Sequence, residues 1–256
     1  MGDRRGKSVL ETYHIMTRGV NKQNIFWDDD DRRIFLQYLV ETKKKYDFKL
    51  YAYCLMSNHV HLVIKEEKHK KSKVMQSLNC KYAKYMNKKY EREGHLFQNR
   101  YLSKPINTLE YLFKVQRYIH QNPEKSKICS TEKYMWSSYK DYIKGSGITD
   151  TEYILKLFST QYEEAVNKFI QYNHENIFED DEFEYEFKNR LEDYELINII
   201  KQKYNINSIY ELQKYNNSIL KNIIKEIKTI KGTSNIQIDR TPQIAGNKNE
   251  RQKKLY

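Results

Sequence analysis

Cysteine is scarce: Cys54, Cys80 and Cys129 are the only three in 256 residues, they lie far apart, and none forms a Cys-x-x-Cys pair. That excludes a disulfide framework and a thiolate zinc site. No run of 18 apolar residues occurs, and the opening MGDRRGKSVL lacks the apolar stretch of a secretory signal. The expectation is a cytoplasmic protein with no membrane partner. Acidic side chains are also few in the first 150 residues, 17 against 30 Lys and Arg. The balance then reverses to 13 acidic against 4 basic over residues 151–200, and returns to 4 against 12 over residues 201–256. A net charge of +12 suggests a polyanionic partner, nucleic acid foremost. A chain this rich in Lys, Asn, Ile and Tyr also fits AT-rich coding, so charge supports nucleic acid without proving it.

The first 122 residues alternate short extended and long helical patterns. TYHIMTR (12–18) reads as a strand, with a turn over residues 19–23. Asp28 to Asp31 suit a helix N-terminus, and Ile34, Phe35, Tyr38, Leu39 and Thr42 recur at helical spacing. FKLYAYCL (48–55) is a second strand and the segment after it a third. Val74, Leu78, Tyr82, Tyr85 and Met86 mark an amphipathic helix over residues 72–90. A fourth strand lies in NRYLSKPI (99–106). Thr108 then caps a helix whose end Pro123 fixes. The order predicts an α+β fold, a ferredoxin-like or RRM-like antiparallel sheet with two helices on one face and the other face open for ligand. Beyond GSGITD (145–150) only helical patterns follow, at residues 151–173, 193–204, 207–215 and 217–231. The domain expectation is therefore 8–148, a helical extension with an acidic linker over 149–190, and a helical region over 191–256.

MSNHVHLVI (56–64) places two histidines one residue apart in that third strand. Side chains alternate along a strand, so His59 and His61 share one face and can reach a single ion, while Val60, Leu62 and Ile64 share the other. Taken alone, His-x-His fits a pair of ordinary surface histidines equally well. In LEYLFKVQRYIHQN (109–122), Tyr118 and Asn122 are one turn apart and point the same way. A tyrosine there could simply pack, as one of 23, and an asparagine before proline could simply cap the helix.

MSNHVHLVI is similar to the His-hydrophobic-His motif of the HUH single-strand endonucleases, and YIHQNP (118–123) resembles the nucleophile helix of the REP-associated tyrosine transposases within the single-tyrosine transposase family. YHIMTRGVNKQNIF (13–26), GHLFQNRYLSKPI (94–106) and WSSYKDYI (136–143) resemble that family's other blocks, in order, over roughly residues 8–145. The resemblance implies a transposase-like nuclease and strand transferase acting on single-stranded DNA at hairpin-forming or repeat sequences. It puts His59 and His61 on the metal-binding histidines, Tyr118 on the nucleophile and Asn122 on the third ligand. Two imidazoles and an amide suit Mg²⁺ or Mn²⁺. It also implies a 5′-phosphotyrosine intermediate, Arg18, Arg100 and Lys104 as DNA contacts, a monomer or homodimer, and association with the nucleoid when bound to DNA. Lys114, Arg117 and His120 are candidates to assist the tyrosine proton.

Departures are present. Where the family continues after Asn-Pro with Val-Arg-Ala, this chain has Glu124, Lys125 and Ser126. IIKEIKTIKGTSNIQIDR (223–240) resembles the start of a helix-turn-helix, but TPQIAGNKNERQKKLY shows almost no apolar periodicity, which suggests a truncated module. A reading from another class is a non-catalytic, RRM-like nucleic-acid binding module; the aromatic motif such modules carry on their central strands is absent. A replication initiator or relaxase would need a further domain for which about 100 residues leave no room.

Overall fold

A computed structural model describes residues 6–175, 193–208, 211–212 and 215–230. The chain divides into two compact units, Met1–Tyr185 and Glu186–Tyr256.

The first unit is built on one antiparallel sheet of β1 (Thr12–Arg18), β2 (Lys49–Leu55), β3 (His59–Lys65) and β4 (Leu102–Ile106), in the order β2-β3-β1-β4. β3 and β1 are therefore the central strands, with Met16 opposite His61 and Arg18 opposite His59. Residues 56–58 turn between β2 and β3, closed by the Met56 N–H donating to the His59 carbonyl (2.9 Å). The strands alternate as their sequence dictates. Ile15, Val60, Leu62 and Ile64 face α1 (Asp29–Tyr46) and α2 (Lys71–Lys89), where they bury with Phe35, Leu39, Leu78 and Tyr82. α1 starts at a capping box: Asp28 accepts from the Asp31 N–H, and Asp31 accepts from the Asp28 N–H. Asp31 is fully buried and also receives Lys89 (2.7 Å) and the Tyr85 and Tyr90 hydroxyls of and beside α2, so one carboxylate starts α1 and clamps it to its neighbour.

The opposite face was expected to be open and is roofed. α3 (Leu109–Lys125) lays Leu112, Val115 and Ile119 against Ala52, Cys54, Val63 and Ile106, because its apolar stripe has nowhere else to bury. A register shift between Leu50 and Ala52 turns both Tyr51 and Ala52 toward this side. Thr108 caps α3 as expected, accepting from the Tyr111 N–H (3.1 Å). Pro123 does not end the helix. It sits in the last turn, where it removes only its own N–H, and the Ser126 and Ile128 N–H groups close on the carbonyls of Asn122 and Pro123.

α4 (Tyr139–Lys144), α5 (Thr151–Phe158) and α6 (Tyr162–His174) complete this unit. The domain boundary expected at 148 falls inside it, because Ile154, Leu155, Ala165 and Phe169 bury in the same core as α3 and β2. The segment before α5 lies along the outer edge of β2. Asp150 exchanges hydrogen bonds with both backbone groups of Leu50, Ser138 does the same for Tyr53, and the Leu55 N–H donates to the Trp136 carbonyl. Lys43 adds an ion pair to Asp150 (2.6 Å).

The second unit contains α7 (Asp193–Tyr204) and α8 (Asn217–Thr229) around Leu196, Ile200, Ile206, Leu212, Ile223 and Ile227. Asn216 caps α8 by accepting from the Ile219 N–H (2.9 Å). The acidic stretch over 179–193 lies almost wholly outside the described residues, and so does the helix-turn-helix resemblance beyond residue 230.

Candidate active site on the roofed face of the sheet

Strand parity puts Thr12, His14, Met16 and Arg18 of β1, His59, His61 and Val63 of β3, and Lys104 and Ile106 of β4 on the α3 side. Three histidines thus meet there. His61 Nδ1 and His14 Nε2 are 3.0 Å apart and fully buried, with their rings stacked at 5.2 Å. The His59 ring stands perpendicular to that of His61 at 4.9 Å. Burial depresses the basicity of both inner imidazoles. His14 is lowered to about 3 by desolvation, then by the charge of Lys104, and His61 is held well below its ordinary value by desolvation, then by His59 and His14. Both are neutral at physiological pH.

α3 brings Tyr118 over them. The half-buried Tyr118 ring meets His61 edge-on at 5.5 Å and His14 at 6.1 Å. The Lys125 ammonium lies 5.8 Å from the centre of the Tyr118 ring. Asn122, one turn beyond Tyr118, is buried, and its Nδ2 has no hydrogen-bond partner. His61 Nε2 is likewise buried and unpartnered. A bare imidazole nitrogen of this kind is the atom a bound ion would satisfy. Among the described residues no three His, Cys, Asp or Glu side chains form a metal-holding group, so an ion here would rely on imidazoles completed by an amide.

Arg18 sits at the His59 end of β1, and Lys104 lies opposite His14 on β4, near enough for its charge to act on that imidazole. Arg100 is placed elsewhere. It is exposed and lines a cavity of about 610 Å³ between α2 and residues 94–101. Two of the residues expected to assist the tyrosine proton are turned away from it. His120 is fully buried, its Nε2 2.8 Å from Ser138 Oγ and its Nδ1 3.1 Å from Asn173 Oδ1. Arg117 donates to the Tyr172 carbonyl and pairs with Glu175. Adjacent helix positions point about 100° apart, so the neighbours of Tyr118 in sequence face α6 instead. Lys114 shares Tyr118's side and pairs with Glu110 (2.8 Å).

The sequence reading missed His14 and Asn58. His14 stands in TYHIMTR at the parity that carries it to the α3 side, a signal that becomes readable once β1 is known to pair with β3. Asn58 precedes the first histidine. It donates from Nδ2 to the Lys22 carbonyl (3.2 Å), which turns its Oδ1 to His59 Nδ1 at 2.6 Å.

Residues 8–122 match the family model described as "Transposase IS200 like". That segment resembles the IS200-like transposases. The transposase match ends on Asn122 and so contains His59, His61 and Tyr118 with it. Among solved structures, the chain is similar to a REP-associated tyrosine transposase bound to a REP hairpin, at 14% identity and a TM-score of 0.49, covering 58% of this chain and 90% of that one. A protein described as a transposase from Deinococcus radiodurans R1 is 18% identical at a TM-score of 0.34, covering 47% of this chain and 97% of that one. No curated protein matches the chain. Among the described residues no helix is long and apolar enough to cross a membrane.

Proposed function

We propose that this chain, as a member of the REP-associated branch, cleaves and rejoins single-stranded DNA beside hairpins, through a tyrosine ester and with a divalent ion. The observation that carries the reading is the Tyr118 ring set edge-on to His61, whose buried Nε2 has no partner in the protein. His59, His61 and Asn122 would hold Mg²⁺ or Mn²⁺ through two imidazole nitrogens and the amide oxygen, and the buried, unpartnered His61 Nε2 fits that role. When bound, the ion supplies Lewis-acid charge to the scissile phosphate.

The chain's own groups do the rest. The Tyr118 oxygen attacks phosphorus, an O–P bond forms as the P–O3′ bond breaks, and the departing oxygen takes up a proton as a 3′-hydroxyl. The 5′-phosphate stays on the tyrosine as an ester, so a second 3′-hydroxyl can reverse the step without ATP. A free phenol has a pKa of about 10, and the Lys125 charge near the Tyr118 ring favours its phenolate. Arg18 and Lys104 border the site and would contact backbone phosphates, with Arg100 contacting the strand farther out. This activity is assigned to the region 8–148, supported by the helices that follow. The histidine face offers imidazoles under a helical roof, not stacked aromatics on an open sheet, which disfavours the binding-module reading.

The test incubates the protein with Mn²⁺ and a labelled pool of single-stranded hairpin oligonucleotides and looks for a covalent adduct on a denaturing gel. The expected result is an adduct that disappears with chelator and in Tyr118→Phe. An adduct that persists in Tyr118→Phe would move the nucleophile to another residue.

A further inference from the structure

We infer that His14 is a positioning residue: it accepts a hydrogen bond from His61 Nδ1–H and thereby presents the bare Nε2 of His61 to the ion. The inference rests on the metal reading above and adds a residue to it.

The argument begins with His59. The Asn58 amide cannot turn over without losing its bond to the Lys22 carbonyl, so the atom 2.6 Å from His59 Nδ1 is an oxygen. An oxygen accepts, so His59 Nδ1 carries the proton and Nε2 the lone pair. His61 presents the same geometry with a different partner. Its Nδ1 is 3.0 Å from His14 Nε2, and both rings are fully buried; two nitrogens at that distance are joined by one proton between them. If His14 were the donor, His61 would hold its own proton on Nε2, a buried N–H aimed at the site with no acceptor. If His61 is the donor, the atom it aims at the site is a lone pair, which a cation satisfies, and the proton of His14 is moved to its Nδ1, buried away from the ion. Only the second arrangement gives both histidines of β3 the same tautomer and turns both Nε2 atoms into ligands. A ligating histidine whose other nitrogen donates to a fixed acceptor is the usual means of setting ring orientation and tautomer.

Register explains why the partner must come from β1. His14 pairs across the sheet with Val63 and Met16 with His61, so His14 is the diagonal neighbour of His61 on one face. A diagonal separation is within reach of a long ring and beyond that of a short side chain.

The experiment reads the tautomer directly. Long-range ¹H–¹⁵N spectra of the metal-free, DNA-free protein should show His61 protonated on Nδ1 in the wild type. His14→Phe, which fills the space without an acceptor, should move that proton to Nε2 and weaken Mn²⁺ binding by roughly 10- to 100-fold. His14→Gln, which restores an acceptor oxygen, should recover both. Circular dichroism establishes that each variant is folded. An Nε2–H tautomer of His61 in the wild type, or unchanged Mn²⁺ affinity in folded His14→Phe, would overturn the assignment. A wild type that binds no Mn²⁺ would overturn the metal reading, while the tautomer would still decide the role of His14.

Discussion

At the scale of single residues, the candidate site sets the Lys125 ammonium near the Tyr118 ring, above the buried imidazoles. Removing that cation should be visible in the chemistry. In Lys125→Ala the Tyr118 phenolate loses a nearby positive charge, so its pKa rises and the pH–rate profile of adduct formation moves to higher pH. A loss of about tenfold near neutrality corresponds to roughly 1.4 kcal/mol, within the range of a partly screened charge at this distance. Single-turnover rates measured between pH 6 and 10 would check it, and an unshifted profile would remove Lys125 from the mechanism. That His59 shares a face with His61, and Tyr118 with Asn122, was legible because each pair stands in a short motif whose spacing already brings it together. His14 was not, since its partner lies 47 positions away and only the β1–β3 register joins them. His120 misled for the converse reason: proximity in sequence to Tyr118 says nothing about which side of the helix a residue occupies.

At the scale of elements, the end of the sheet nearest His59 is held by a turn with no spare room. Gly19 donates its N–H to the Asn58 carbonyl, and a Cβ added there would stand 2.2 Å from the Gln23 carbonyl oxygen. Gly19→Ala must therefore displace residues 19–23, including the Lys22 carbonyl that orients Asn58. The expected cost is roughly 1–3 kcal/mol of stability, read as a lower denaturation midpoint, with Mn²⁺ affinity falling as well. Loss of stability with unchanged affinity would detach this turn from the site. The elements themselves were largely readable. The strand over 12–18 and the Asp28 and Thr108 caps follow from alternation and from oxygen-bearing side chains before apolar periodicity. The roof over the histidine face was not readable, because the stripe of α3 states that the helix needs an apolar surface without saying which one.

At the scale of the molecule, His120 joins α3 to Ser138 and to Asn173 of α6 as a neutral, fully buried ring, lowered to about 4 mainly by desolvation. The unfolded chain binds a proton there near pH 6.5 while the folded chain does not until about 4. Stability is therefore full above pH 6.5 and falls through that window, by roughly 1.4 kcal/mol per pH unit for each such histidine. Urea unfolding of wild type and His120→Gln from pH 7 to pH 4 should show the variant with the shallower loss; equal slopes would contradict it. The break expected at 148 misled because glycine and serine mark a change of direction as readily as a change of domain. The same stretch has a further consequence. An outer strand offers its unpaired backbone groups to any extended chain that passes, which is how sheets merge between molecules, swap strands or seed aggregates. With Asp150, Ser138 and Trp136 already bonded along β2, that invitation is withdrawn on one side. Any joining of two copies by sheet extension would have to proceed through β4, the short strand that carries Pro105.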